Sequence, residues 1–215
     1  MIDIKDLIKS RYAQDSDLKK SFDIPNSISK RILRKSCRKF KKSKISKEIL
    51  ISLIASAQAA PSKSNLQQYS ILLIKNKEMK NQLSKLLGKT AWALEAPLFF
   101  LFLADIRRNK IITEHKGYEY KNNSIDYFMN AVIDASLAMQ NLINSAEEFG
   151  LGICPISMVR NYLEEVKKMC HLPEGVFPIA GLSVGWPDEN NEVSIRLPMK
   201  VVFHEDFYND KDMLK

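Results

Sequence analysis

The order of apolar runs along the chain predicts an α+β fold, with helices packed around one sheet. Three observations carry that expectation. Between Asn130 and Gly152, apolar residues recur at Val132, Ala135, Met139, Leu142, Ile143, Ala146 and Phe149, which is helical spacing. Ile133, Leu137 and Ala138 widen this stripe nearly all round, the pattern of a central core helix and not of a surface one. Two short apolar runs, 69–75 (Y-S-I-L-L-I-K) and 97–105 (P-L-F-F-L-F-L-A-D), read as buried strands, and helix-spaced segments flank both.

In chain order, residues 1–25 form an N-terminal extension: a short helix, a polar segment, then Ile24-Pro25. Asn26 or Ser27 caps a helix through about Lys35, with Ile28, Ile32 and Leu33 inward. Ser46 is the N-cap of the next helix, which turns Ile49, Leu50, Leu53, Ile54 and Ala57 to one side and ends at Pro61. A turn-rich loop, Pro61-Ser62-Lys63-Ser64-Asn65, precedes the first strand, and 78–87 is an amphipathic helix. Residues 106–125 are basic, polar and aperiodic, a surface excursion without a readable conformation. The central helix stops where Gly150 takes the left-handed cap position. Ile153–Ile156 reads as connecting chain, 159–170 as a helix, and 177–186 and 199–204 as the last strands. There are no repeats and no linker, so residues 1–215 are read as one domain.

Composition narrows the function classes. The chain has 45% hydrophobic and 27% charged residues, no apolar run of membrane-spanning length, and acids where a secretory leader would be apolar. Three cysteines without C-x-x-C spacing argue against a disulfide framework or zinc site and fit a reducing cytoplasm. The three histidines are too far apart for paired metal ligation. Of the net charge of +8, much comes from residues 30–47, which hold ten basic residues and no acid. Such a cluster attracts phosphate, but only Phe40 is interleaved with it, unlike nucleic-acid modules, which mix in aromatics.

Gly181-Leu182-Ser183-Val184-Gly185 matches the G-x-S-x-G elbow of serine hydrolases, with Asp188 and His204 following in order. The elbow needs a helix after the serine, whereas Gly185-Trp186-Pro187 ends a strand, so Ser183 reads as a small packing residue. A hydrolase using Ser183, or a non-enzymatic anion- or nucleic-acid-binding module, remain the rival functions. Cys37 sits among Arg34, Lys35, Arg38 and Lys39, which would lower a thiol pKa, yet a packing role is the plainer reading.

Four segments taken together resemble the FMN-dependent nitroreductase family over residues 28–208. These are R-K-S-C-R-K-F at 34–40, A-A-P-S-K-S-N-L-Q at 59–67, D-A-S-L-A-M-Q-N-L-I-N-S-A-E-E-F-G-L-G at 134–152, and L-P-E-G-V-F-P-I-A-G-L-S-V-G-W-P-D-E at 172–189 with I-R-L-P following. The last is similar to the oxygen-insensitive NADPH nitroreductase and flavin reductase branch. The resemblance implies a mainly antiparallel central sheet surrounded by helices, a dimer joined through the long helix, and bound FMN. It also implies hydride taken from NAD(P)H and delivered to nitroaromatics, quinones or free flavin, in the cytoplasm, without nucleic acid or membrane.

By the same resemblance Arg34, Lys35, Ser36 and Arg38 contact FMN, Arg34 and Ser36 towards its phosphate and Arg38 towards the flavin N1/O2 edge. Ser62, with Ser64 and Asn65, meets that flavin from the other subunit. Thr90 approaches the ribityl chain or ring edge, Pro155, Ile156, Ser157 and Met158 line the ring, and Arg196 closes on the phosphate. No protein acid or base and no metal is implied. The branch continues beyond position 215 into an arm that shapes the NADPH site, so the choice between NADH and NADPH stays open.

Overall fold

The computed structural model describes residues 3–16, 18–20, 22–121 and 124–211. Its elements in chain order are α1 (Ile4–Tyr12), α2 (Asn26–Ile32), α3 (Lys47–Gln58), β1 (Tyr69–Leu73), α4 (Lys77–Leu87), β2 (Leu98–Asp105), α5 (Arg107–His115), α6 (Ile125–Glu148), β3 (Gly152–Ile156), α7 (Leu163–Met169), β4 (Val176–Gly185) and α8 (Met199–Val202). They fall into two compact units, Met1–Lys35 with Asn191–Lys215, and Ser36–Asn190.

The larger unit, Ser36–Asn190, is built on an antiparallel four-stranded sheet of order β1-β2-β4-β3. Every residue of β2 is buried, because both faces of the sheet are covered. Leu98, Phe100, Phe102 and Ala104 pack with α3 and α6, while Phe99, Leu101 and Leu103 point the other way, into a core shared with α4 and α7. A strand covered on both faces loses the alternation of a half-buried one and reads as a continuous apolar run. Close packing sets the small residues of β4: a Cβ on Gly181 would lie 2.6 Å from the Phe99 ring.

Local chemistry explains the element ends. Ser46 Oγ accepts from Ile49 N (3.3 Å) and Asn76 Oδ1 from Met79 N (3.0 Å), each capping its helix. At the end of α6, Leu151 N donates to Ala146 O and Gly150 N to Glu147 O, with Gly150 at φ 76°, the two-bond C-cap expected from the glycine.

The structure corrects three expectations and adds one helix where none was read. Ile153–Ile156 is a strand, β3, and not connecting chain; it lies at the sheet edge, where Pro155 costs no central ladder bond. Residues 199–204 are not a strand: Met199–Val202 forms a short helix that Phe203 leaves in extended conformation, and β-branched composition alone does not supply a partner strand. The 106–125 excursion contains α5, a helix without one buried residue, which is why no apolar period betrayed it. α2 starts after Pro25, with no side-chain cap from Asn26 or Ser27, and ends at Ile32.

The central helix begins at Ile125, five residues before the expected start, and is half-buried. Ala131, Asp134, Ala135, Ala138, Leu142 and Ala146 face the core, but Ile125, Met129, Ile133 and Leu137 remain exposed, Ile133 by 50%.

In the smaller unit, Ile4, Leu7 and Ile8 of α1 pack against Tyr12, Ile24, Ile32 and Leu33. Asp3 caps α1 by accepting from Lys5 N at 2.7 Å, and Ala13 ends it in the left-handed region. Arg196 N donates to Arg11 O (2.8 Å), fastening the 194–196 segment to α1.

Candidate functional site

The loop between α3 and β1 carries Ser62, Ser64 and Asn65, and one buried carboxylate holds it. Asp134, on the core face of α6 and 1% exposed, accepts from Ser62 Oγ (2.7 Å), Lys63 N (3.2 Å) and Gln68 N (3.0 Å). Ser62 Oγ in turn accepts from Gln67 N at 2.8 Å. Ser64, Asn65 and Gln67 all have φ near +50°, a region that side-chain-bearing residues enter at a cost. Asp134 offsets that cost by giving the loop's donors a charged acceptor. Ser64 and Asn65 are consequently presented to solvent from a fixed backbone, with Asn65 Oδ1 accepting from Gln67 Nε2.

Residues 36–41 run extended along β3 and the end of β4. Ser36 bridges Ile153, Cys37 N donates to Ile153 O (2.9 Å), and Lys41 N donates to Trp186 O (2.8 Å). Extended chain alternates its side chains, so Cys37 turns inward and Arg38 outward. Glu189 accepts from the backbone N–H of both Arg38 and Lys39, and the Arg38 guanidinium stands 6.0 Å over the Trp92 ring. That separation is at the outer edge of cation–π attraction, enough to bias the orientation of an exposed cation.

Cys37 is a packing residue. Burial first, and the Glu189 carboxylate second, push its thiol above the ordinary range, opposite to the lowering its basic neighbours in sequence suggested. Its side chain fills the space in which a Cβ on Gly152 would sit, 2.6 Å away, so Gly152 is required by this contact.

The other expected residues are distributed as follows. Thr90 is half-buried beyond α4 and donates through Oγ1 to Leu87 O (3.0 Å). Pro155 and Ser157 are exposed, Met158 is half-buried, and Ile156 is 4% exposed within the core. Arg34 and Arg196 belong to the smaller unit and line one hollow there of about 790 Å³, together with Arg11 and Arg31. Lys35, in the same unit, is half-buried.

Sequence reasoning missed Asp134, Trp92 and Arg11. Asp134 had a signal, an acid inside a helix stripe otherwise apolar. Arg11 had one too: with Ile4, Leu7 and Ile8 it completes an i, i+3, i+4, i+7 face, so an arginine stands where the spacing calls for an apolar residue. Trp92 had none.

Ser183 is fully buried in β4 and donates to Ala93 O (2.8 Å), so it is a packing residue and not an exposed nucleophile. Among the described residues no group of three potential ligands could hold a metal, and no helix is long and apolar enough to cross a membrane. Taken unit by unit, the chemistry is that of anion and polar-ring binding: in the smaller unit arginines line a hollow, and in the larger unit stand an oriented arginine and a loop of amide and hydroxyl groups.

Residues 33–186 match the model of the nitroreductase family. The chain is 37% identical over 186 residues to an FMN reductase (NADPH) of Bacillus subtilis (strain 168), covering 86% of this chain and 75% of that one. It is 39% identical over 165 residues to a Cr(VI) reductase of Pseudomonas sp. (strain G-1), covering 77% and 68%. The solved structure of the NfrA1 nitroreductase from B. subtilis superposes with a TM-score of 0.84 at 37% identity, covering 87% of this chain and 77% of that one.

Proposed function

The chain belongs to the nitroreductase family, and from that premise we propose an FMN-dependent oxidoreductase that uses NAD(P)H to reduce nitroaromatics, quinones or free flavin. The family match over residues 33–186 carries this reading, since it contains Ser36, Arg38 and the 59–67 loop in one continuous stretch. When bound, FMN supplies the two-electron chemistry, and the chain's part is to bind, orient and stabilise charge.

In the smaller unit, Arg34 and Arg196 would be the cations for the FMN phosphate, and Lys35 would be a further contact to FMN. In the larger unit, Ser36 would contact FMN towards its phosphate and Arg38 would face the flavin N1/O2 edge. A fixed cation there stabilises negative charge that develops on reduction, without any reorganisation at the moment of reaction. Thr90 would border the ribityl chain or the ring edge, and Pro155, Ile156, Ser157 and Met158 would line the ring. Ile156, being part of the core, would support that lining.

Ser62, Ser64 and Asn65 serve the flavin of the partner copy. Two observations support that assignment. The loop is anchored on α6, and α6 keeps a stripe of exposed apolar residues, Ile125, Met129, Ile133 and Leu137, which a second copy would cover. The three cysteines, none of them in a disulfide, suit a cytoplasmic enzyme.

The test is an absorbance spectrum of purified protein dialysed against FMN, beside light scattering on the same sample. Flavin bands retained after gel filtration, on a particle about twice 24.7 kDa, are expected. Folded protein that retains no flavin contradicts the cofactor, and a monomer that holds FMN and turns over contradicts the dimer.

A further inference from the structure

The smaller unit holds a buried charge that the proposed function does not use. Arg11 lies in the last turn of α1, before the family-matched residues 33–186, and is 5% exposed. Its Nη1 donates to Ser194 O at 2.8 Å, and its own carbonyl accepts from Arg196 N. A guanidinium has five N–H donors, and among the described residues this one makes that single hydrogen bond.

Among the described residues, the charges that bear most on Arg11 are positive. Burial lowers its pKa first, then the charges of Arg196 and Arg34, in that order. Among the described residues, the partly compensating influence is Tyr12. Arg11, Arg34 and Arg196 line one hollow of about 790 Å³, with Arg31 also at its wall. The rest of the wall is largely apolar, including Tyr12, Ile28, Ile32, Met199 and Phe203. Like charges gathered beside apolar walls repel more strongly than in water, and the fold tolerates them at a cost. An anion in the hollow reverses the sign of every one of those interactions.

We propose that Arg11 joins Arg34 and Arg196 in a three-arginine site for a phosphate monoester, so that α1 is part of the ligand grip. This rests on the reading of Arg34 and Arg196 as the FMN phosphate cations. Arginine is suited to the task because its planar fork pairs two donors with two phosphate oxygens. The bond to Ser194 O fixes one nitrogen and leaves the remaining donors of Arg11 for the anion.

The experiment is calorimetric binding of FMN, riboflavin and inorganic phosphate to flavin-free protein, for the parent, Arg11→Gln and Arg11→Lys. Arg11→Gln is expected to weaken FMN about ten- to a hundredfold and to leave riboflavin within about twofold. Arg11→Lys, which keeps the charge and loses the fork, should fall between parent and Arg11→Gln. Unchanged FMN affinity in Arg11→Gln overturns the proposal. Equal weakening of FMN and riboflavin also overturns it, because that is the signature of a packing role. If the parent binds no FMN at all, the cofactor reading fails, and inorganic phosphate alone decides Arg11. Phosphate bound by the parent and lost in Arg11→Gln then sustains the site, and phosphate bound by neither overturns it.

Discussion

Asp134 and Arg11 are both charged, both nearly inaccessible, and both placed on the apolar face of a helix. Their surroundings differ completely. Asp134, in the larger unit, is met by a hydroxyl and two backbone amides, so its charge is answered within the protein. Arg11, in the smaller unit, is met by one carbonyl and by two further arginines. A buried charge whose donors and acceptors close on themselves holds structure; one that converges with its own sign calls for a ligand of the opposite sign.

Removing the answered charge should cost the most. Asp134→Ala strips the acceptor from three donors, including the Gln68 amide buried at the foot of β1, and releases a loop held in left-handed conformations. A loss of about 3 kcal/mol or more in urea unfolding is expected, with weakened FMN binding alongside. Asp134→Asn keeps one acceptor oxygen and should fall between. A loss within about 0.5 kcal/mol for Asp134→Ala would break the distinction between the two buried charges.

The arginines sharpen it further, because gripping and tuning are separable. Arg34→Ala should weaken FMN about ten- to a hundredfold, a charge-assisted bond of about 1.5–3 kcal/mol, with little effect on the midpoint potential. Arg38→Ala should lower the potential by tens of millivolts, about 30 mV for each 1.4 kcal/mol in a two-electron couple, and disturb oxidised FMN less. Fluorescence titration and dye equilibration on the same pair of variants read the two quantities. An unmoved potential in Arg38→Ala would assign that residue to grip alone.

Ser183 is the smallest case of an answered polar group. Ser183→Ala removes the donor to Ala93 O in a dry core, so about 1–3 kcal/mol of stability should go while NAD(P)H oxidation stays within a few-fold of the parent. A large loss of turnover with stability intact would reopen a chemical role.

Most of the larger unit was legible in the sequence, and the reason is physical. β2, α3, α4, α6 and β4 bury apolar residues at a regular period or in an unbroken run, and that burial writes itself into residue order. α5 buries nothing, so no period marks it, and β3 was hidden by Pro155, which the sheet edge tolerates. At the site, Ser62, Ser64 and Asn65 were visible as a polar loop, but the carboxylate that fixes them lies 66 residues beyond Gln68 in sequence. Arg38 was visible as charge and not as an oriented group, since Trp92 approaches it only in three dimensions. The opposite shift of the Cys37 thiol has the same origin: neighbours in sequence were basic, while burial and Glu189 dominate in the fold.

The most direct measurement is an anaerobic titration of FMN-loaded protein with NADPH, and in parallel NADH, followed by flavin absorbance. The visible flavin band should bleach with one equivalent of at least one of the two nucleotides per bound flavin and return when a nitroaromatic or quinone is added. A band that stays unbleached by both nucleotides, in folded protein with FMN bound, would contradict the assignment of this chain as an NAD(P)H-dependent oxidoreductase.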